Sequence, residues 1–287
     1  MGINTNDHFH STLKKELFEK IQKLISLNFG IFFTEKNRHL MEVRLLRRLS
    51  DLNLNSFDDY SLYLDKHVKI ELPKAIECLT NNETYFFRED YQLDNFVKEL
   101  LPFSKKNNTG KNKQLTIWSA GCSSGEEAYT IGILIAESEL FDGWDIRILG
   151  TDINSAVVSH ARKGIYGEYA LSKTPDLIKK KYFDRKQNRW LIKDNIKAMC
   201  NFTTMNILDD NSIYVIGRFN FIFCRNVLMY FDKASKLKSI SNFYNRLKPD
   251  GVLLLGHTES LLNDSTLLKP VYLENSIVYN RPGETYE

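Results

Sequence analysis

None of the four cysteines, Cys78, Cys122, Cys200 and Cys224, stands in a Cys-x-x-Cys pair. That spacing argues against a zinc or other metal site and against a disulfide framework, and points to a reducing cytoplasm. No apolar run approaches the ~20 residues of a membrane span, so membrane insertion is not expected. The first ten residues are polar and lack the pattern of a secretory signal. No repeat recurs at a period of roughly 20–50 residues. The charges nearly cancel: 39 Lys and Arg against 36 Asp and Glu leave +3. So small an excess gives no reason to expect nucleic acid as a partner. What is there is the composition of a globular protein, 43% apolar and 26% charged. Its 287 residues suffice for one large domain or two unequal ones.

Residues 11–80 carry only helical patterns, and 1–80 read as a small all-α domain. Leu13, Leu17, Ile21, Leu24 and Ile25 recur at helical spacing, and Gly30 follows as a stop. Over 35–52, Met41, Leu45, Leu46, Leu49 and Leu52 share one helical face. Lys36, Arg44, Arg47 and Arg48 gather opposite, with Leu40 and Val43 among them. Such a face is ordinarily solvated surface; its sharper reading is a docking face for an acidic partner. Ser56 caps a short helix with Phe57, Tyr60 and Leu64 inward, and Pro73 opens another that ends near Leu79. Residues 81–114 form a joint and linker. Their one helix, over 91–101, is ended by Pro102 and followed by a solvated loop over 104–114.

From 115 onward strand and helix patterns alternate, which predicts an α/β domain with a mostly parallel sheet. Its first strand leads into Trp118-Ser119-Ala120-Gly121-Cys122-Ser123-Ser124-Gly125-Glu126-Glu127-Ala128-Tyr129 and then a helix. A strand, a small-residue turn and a helix make the nucleotide-cradling unit of doubly wound sheets. Gly121 and Gly125 permit a sharp turn close to a ligand. Glu126 and Glu127 would repel a pyrophosphate but suit ammonium, sulfonium and hydroxyl groups, which favours S-adenosylmethionine over a dinucleotide. Asp152, just beyond the second strand, is placed to accept from ribose hydroxyls. Arg225 and Asn226 follow the apolar strand 219–224, again at a carboxyl end. Residues 188–193 and 196–202 read as paired strands of a small antiparallel β excursion over about 184–203. His257, after a buried strand, is a weak catalytic candidate.

Taken together, these motifs resemble the chemotaxis receptor methyltransferases, the CheR family. The resemblance runs over about 20–280. It includes Asn82-Glu83-Thr84-Tyr85-Phe86-Phe87-Arg88-Glu89, the turn above, Thr151-Asp152-Ile153, Phe223-Cys224-Arg225-Asn226-Val227-Leu228-Met229-Tyr230-Phe231 and Gly256-His257-Thr258-Glu259-Ser260. It implies a helical domain joined to an S-adenosylmethionine-binding, Rossmann-like domain, and methyl transfer to glutamate side chains of membrane chemoreceptors. By position, Asn82, Thr84 and Arg88 would face the methionine and methyl side. Glu127 and Asp152 would hold amino or ribose groups, with Glu126 the alternative to Glu127. Asn206 and Ile207 would flank the adenine, while Arg225 and Asn226 would line the cleft. Arg88, Arg225 and Tyr230 would act in catalysis, and Arg44, Arg47 and Arg48 would meet the receptor. The expected enzyme is a cytoplasmic, monomeric protein-glutamate O-methyltransferase.

Two other functions share parts of this pattern. A nucleic-acid amine methyltransferase would carry Asp/Asn-Pro-Pro-aromatic where this chain has Cys224-Arg225-Asn226-Val227. A non-catalytic module that only senses S-adenosylmethionine or docks in a signalling complex would share the cofactor residues. Within the resemblance, the β excursion is where a receptor's C-terminal peptide can be tethered. The stretch 184–189, read as a short glycine-free connection, predicts an untethered enzyme.

Overall fold

The computed structural model describes residues 12–107, 113–261 and 267–282. By contacts the chain divides into a helical unit up to Asn81, which also takes in Tyr230–Asp232, and an α/β unit made of the rest.

In the helical unit, Lys15–Phe29 buries Leu17, Phe18, Ile21 and Ile25 and stops at Gly30. Gly30 has the left-handed φ of 71° that ends a helix without a Cβ clash. Arg38–Asp51 buries Met41, Leu45 and Leu49. The helical stretch Phe57–Leu79 starts at Ser56, whose hydroxyl accepts from the Asp59 N–H. It breaks at His67 (φ −129°), whereas Pro73 lies inside its second half and opens nothing. The bend has a packing reason. It turns Tyr60 and Leu64 on one side, and Leu72 and Ile76 on the other, into the same core, which outweighs one missing N–H at the proline.

The basic face of Arg38–Asp51 is narrower than its pattern suggests. Arg48 does not belong to it: its side chain is only 12% exposed and grips Glu71, 1% exposed, through Nε (3.0 Å) and Nη2 (2.7 Å). Tyr60 Oη donates to the same carboxylate at 3.0 Å. Burial and the Glu71 charge push the Tyr60 hydroxyl well above its ordinary range. Arg44 turns its guanidinium to the Leu79 carbonyl at 2.5 Å. Arg47, Leu40 and Val43 remain exposed.

Pro102 does not end its helix. Asp90–Asn95 passes through a widened π turn, Phe96–Leu100, and continues as Leu101–Asn107. The Leu101 N–H reaches back to the Phe96 carbonyl, and a turn of that width spreads the crowding a proline imposes on the preceding turn. Of the loop expected over 104–114, residues 104–107 are thus helical and 108–112 lie outside the described residues.

The α/β unit is built on strands β1 (Gln114–Ala120), β2 (Asp145–Asp152), β3 (Ile165–Tyr166), β4 (Phe183–Lys186), β5 (Arg189–Ile192), β6 (Cys200–Thr204), β7 (Phe219–Cys224), β8 (Leu247–Leu255), β9 (Lys269–Tyr272) and β10 (Ile277–Asn280). Seven form one sheet in the order β6-β2-β1-β7-β8-β10-β9. The first five in that order run parallel, and β10 pairs antiparallel with both β8 and β9. All six residues of β7 are buried, as a central strand covered on both faces requires. The chain moves from β1 outward through β2 and β6, then returns to the other side of β1 with β7. That reversal sets a crevice at the carboxyl ends of β1 and β7.

The small antiparallel sheet has the order β3-β5-β4 and spans 165–192. The stretch 196–202 is not part of it. Asp194–Lys197 is a helical turn with Ile196 fully buried, and β6 pairs with β2 in the main sheet. Gly150 makes room for that pairing, since a Cβ there would lie 2.5 Å from the Phe202 ring. Residues 184–189 likewise lie within the β4–β5 hairpin and are not a connection into the sheet. No helix among the described residues is long and apolar enough to cross a membrane.

Arg48 and Arg47 should separate cleanly in denaturation experiments. Arg48→Ala leaves the Glu71 carboxylate buried without its cation and is expected to cost about 3–5 kcal/mol. Arg47→Ala is expected to stay within about 0.5 kcal/mol of the parent in urea unfolding. Equal effects would show that the Arg48–Glu71 pair does not hold this unit together.

Candidate active site

The site is assembled at the carboxyl ends of parallel strands. Asp152 closes β2. Its Oδ2 accepts from the Ser123 N–H (2.8 Å) and its Oδ1 from the Asn154 N–H (3.0 Å). Burial raises its pKa, while the N–H groups of Asn154, Ser123 and Ile153 pull it back. The Asp152 carbonyl takes the Met205 N–H, so the end of β6 is tied to the same residue. Asn206 and Ile207 follow at once: Asn206 Oδ1 accepts from the Leu208 N–H, and the Ile207 carbonyl from Asn242. Ser123 also donates its hydroxyl to the Asn82 carbonyl at 3.0 Å, which joins the linker to the turn. Thr84, two residues on, is half-buried.

The second cluster is centred on Arg225, directly after β7 and 7% exposed. Its Nε donates to Gln92 Oε1 (2.9 Å) and its Nη1 to Glu127 Oε2 (3.2 Å). Its Nη2 donates to the Arg88 carbonyl (2.6 Å) and to Glu89 Oε2 (3.2 Å). Glu89 also accepts from Asn226 Nδ2 and from the His257 N–H. Burial drives the Glu89 carboxyl up, but the Arg225 charge and these hydrogen bonds outweigh it, and the pKa is lowered. Glu127 accepts from Ser119 Oγ at 2.7 Å, and burial outweighs Arg225 there, so its pKa is raised. Arg88, Glu127, Arg225 and Asn226 are thereby brought into one network. Arg225 spends its guanidinium on protein groups, which makes it the residue that positions the others. The Arg88 side chain is separate: its Nη1 donates to the Glu83 carbonyl and its guanidinium lies 6.0 Å from the Tyr85 ring.

Glu126 and Glu127 part ways. Glu126 is 3% exposed and hydrogen-bonded to Ser124 Oγ (2.8 and 3.0 Å). Burial pushes it up to about 7 despite that hydroxyl and its own N–H. Glu127 is the one wired to Arg225. Tyr230 groups with the helical unit, where its carbonyl accepts from the Phe32 N–H, and it is 40% exposed. The His257 side chain is exposed and its ring meets Tyr91 edge-on at 5.8 Å.

Three residues escaped the pattern reading. Glu89 and Gln92 complete the Arg225 network. Glu259, 7% exposed, accepts four backbone N–H groups: Val227 (2.8 Å) and Met229 (3.1 Å) on Oε1, Asn226 (2.8 Å) and Gly256 (2.9 Å) on Oε2. One carboxylate thus fixes the loop that carries Asn226 to the end of β8. A carboxylate closing a short motif beyond a strand was the available signal.

The donor set fits S-adenosylmethionine and not a pyrophosphate. Turn N–H groups that would cradle phosphate are spent internally. Gly121 and Cys122 donate to the Thr151 carbonyl, Ser123 to Asp152 and Gly125 to the Cys122 carbonyl. The glycines serve the same packing: at Gly121 (φ 84°) a Cβ would strike Val227, and at Gly125 (φ 95°) it would come within 2.8 Å of Ala161. Glu89, Glu127 and Asp152 together outnumber the Arg225 charge, which favours a cofactor bearing ammonium and sulfonium groups.

Two outcomes are expected. Asp152→Ala should weaken S-adenosylhomocysteine binding in calorimetry by roughly 1.5–3 kcal/mol, the scale for a hydrogen bond to a charged acceptor. Glu126, with its folded pKa raised, binds more protons folded than unfolded between about pH 4.5 and 7, so its share of stability is lost as pH rises through that window. Glu126→Gln should therefore flatten the pH dependence of the melting temperature there and stabilise the protein at pH 8. Identical pH profiles would place Glu126 in water.

Comparison with known proteins identifies the family. The family model for the CheR methyltransferase SAM binding domain matches residues 82–277, and that for the CheR methyltransferase all-alpha domain matches residues 16–80. A chemotaxis protein methyltransferase of Borreliella burgdorferi is 34% identical over 92% of this chain and 96% of its own. Chemotaxis protein methyltransferase 2 of Vibrio cholerae is 35% identical over 88% of each. The corresponding Pseudomonas aeruginosa protein, also numbered 2, is 32% identical over 93% of each. With both of its units matched, the chain belongs to the CheR methyltransferase family and uses S-adenosylmethionine as its methyl donor.

Proposed function

We propose that the protein esterifies glutamate side chains of membrane chemoreceptors. The observation that carries this reading is the Arg225 network, an acidic, buried cradle for a cationic methyl donor on a chain whose relatives are chemotaxis methyltransferases. When bound, S-adenosylmethionine supplies a methyl group activated by its sulfonium. Asp152 would accept from ribose hydroxyls, and Glu127, with the backbone around Asn82, would hold the ammonium end. Asn206 and Ile207 would border the adenine. The acceptor needs no general base: a glutamate with reference pKa near 4.3 is already ionised at neutral pH. The protein's task is alignment and partial desolvation of that carboxylate. Arg88, whose side chain is not committed to a carboxylate, is the cation available to guide it. The Tyr230 hydroxyl, by its place in the motif, would orient it without a permanent charge.

For receptor docking, the exposed group on Arg38–Asp51 is Leu40, Val43 and Arg47, with Arg48 removed from the set and Arg44 occupied by Leu79. A mixed apolar and basic strip suits an acidic helical partner.

Incubation with methyl-labelled S-adenosylmethionine and receptor-containing membranes tests the acceptor. Label on a receptor-sized protein that is released by mild base marks methyl esters; base-stable label would contradict carboxylate esterification. In the same assay Arg47→Glu should slow methylation several-fold and Tyr230→Phe should lower turnover. Both should leave S-adenosylhomocysteine affinity unchanged.

A further inference from the structure

The charge of this chain is not spread evenly. Residues 162–197 hold eleven Lys and Arg against four Asp and Glu, a net +7 in a chain whose total is +3, so the remainder carries −4. This segment includes the whole three-stranded sheet and the helix Asp176–Tyr182 that feeds β4.

Some of these cations have structural duties. Lys179 pairs with Asp176, Lys181 with Glu137 and Arg185 with Glu168, while Arg162 grips the Phe202 carbonyl. Lys173, Lys180, Lys186 and Arg189 have no acidic partner among the described residues, and all four are exposed. Lys186 and Arg189 face each other in register across the β4–β5 hairpin. Like charges directly opposite on neighbouring strands destabilise a hairpin, so folding does not account for this pair. On the helix, Tyr182 and Ile178 turn inward, while Leu177 is 80% exposed with Lys180 one turn along the same face. An exposed leucine beside an unpaired lysine, in a segment with this excess of positive charge, is the composition of a surface that rests on a membrane: cations meet the headgroups and the apolar side chain enters the interface.

We infer that this basic segment, through its exposed Lys173, Lys180, Lys186, Arg189 and Leu177, docks on a bilayer surface rich in anionic lipid. The attraction is diffuse and tolerant of lateral movement, which unpaired, flexible cations suit better than a fixed set of protein carboxylates would. The inference is independent of which residue the enzyme methylates.

Sedimentation with lipid vesicles tests it. The full chain should bind vesicles of phosphatidylcholine mixed with phosphatidylglycerol, bind pure phosphatidylcholine far more weakly, and release as salt is raised. Each basic residue near an anionic surface contributes about fivefold to affinity. The triple variant Lys180→Glu, Lys186→Glu, Arg189→Glu should therefore lose at least about tenfold. A variant of equal net charge, Lys23→Glu, Lys66→Glu, Lys69→Glu, changes exposed lysines outside the segment and should keep most of the binding. Leu177→Ser should weaken binding without altering its salt dependence. Calorimetry with S-adenosylhomocysteine should give parental affinity for every variant, which separates this surface from the cofactor site. No binding to the anionic vesicles, or equal loss in the two triple variants, would overturn the proposal.

Discussion

The guanidinium of Arg225 is the constraint on which the site depends. It is buried, and a buried cation is tolerated only when its N–H groups are satisfied and its charge is met. Here the satisfaction comes from four groups in three segments: Glu89 and the Arg88 carbonyl in the linker, Gln92 in the helix that follows, and Glu127 in the helix after β1. Each of these groups would lose one of its partners if Arg225 moved. The result is a rigid frame with a surplus of negative charge, which is what a cofactor carrying a sulfonium and an ammonium requires of its surroundings.

Around this frame the backbone is fixed by carboxylates. Glu259 does for the loop after β7 what Asp152 does for the turn after β1: each gathers N–H groups that would otherwise be unpaired where strands end. The division of labour between Glu126 and Glu127 follows from the same rule. Glu127 has a cation and stays in the network. Glu126 has no cation beside it; burial raises both carboxyls, and Arg225 offsets part of that rise only at Glu127. Neighbouring residues of one type thus acquire different chemistry from their surroundings alone.

Much of this was legible in the sequence. The α/β alternation, the turn after Ala120, the carboxylate at Asp152 and the polar pair after Cys224 are local patterns, set by strand period and by the residues that end strands. The features that were not legible are those decided by distant partners. Arg48 looks like any surface arginine until Glu71 is brought beside it. Residues 196–202 alternate as a hairpin strand would, yet β6 pairs with β2 because Gly150 leaves space for Phe202. Pro102 reads as a helix stop, but a π turn absorbs it. The sequence marks Arg225 as a cleft residue, but its role as the hub depends on Glu89, Gln92 and Glu127, which only the fold brings into contact with it.

The fork of Arg225, and not its charge alone, holds this network, the proposed cofactor cradle, in shape. Arg225→Lys keeps the cation and removes the fork, since a single ammonium cannot reproduce a planar set of donors. Titration of S-adenosylhomocysteine into that variant, with folding checked by circular dichroism, is the direct measurement. A folded protein whose affinity is weaker by about tenfold or more, ~1.4 kcal/mol, is expected. A folded variant that binds as tightly as the parent would contradict it.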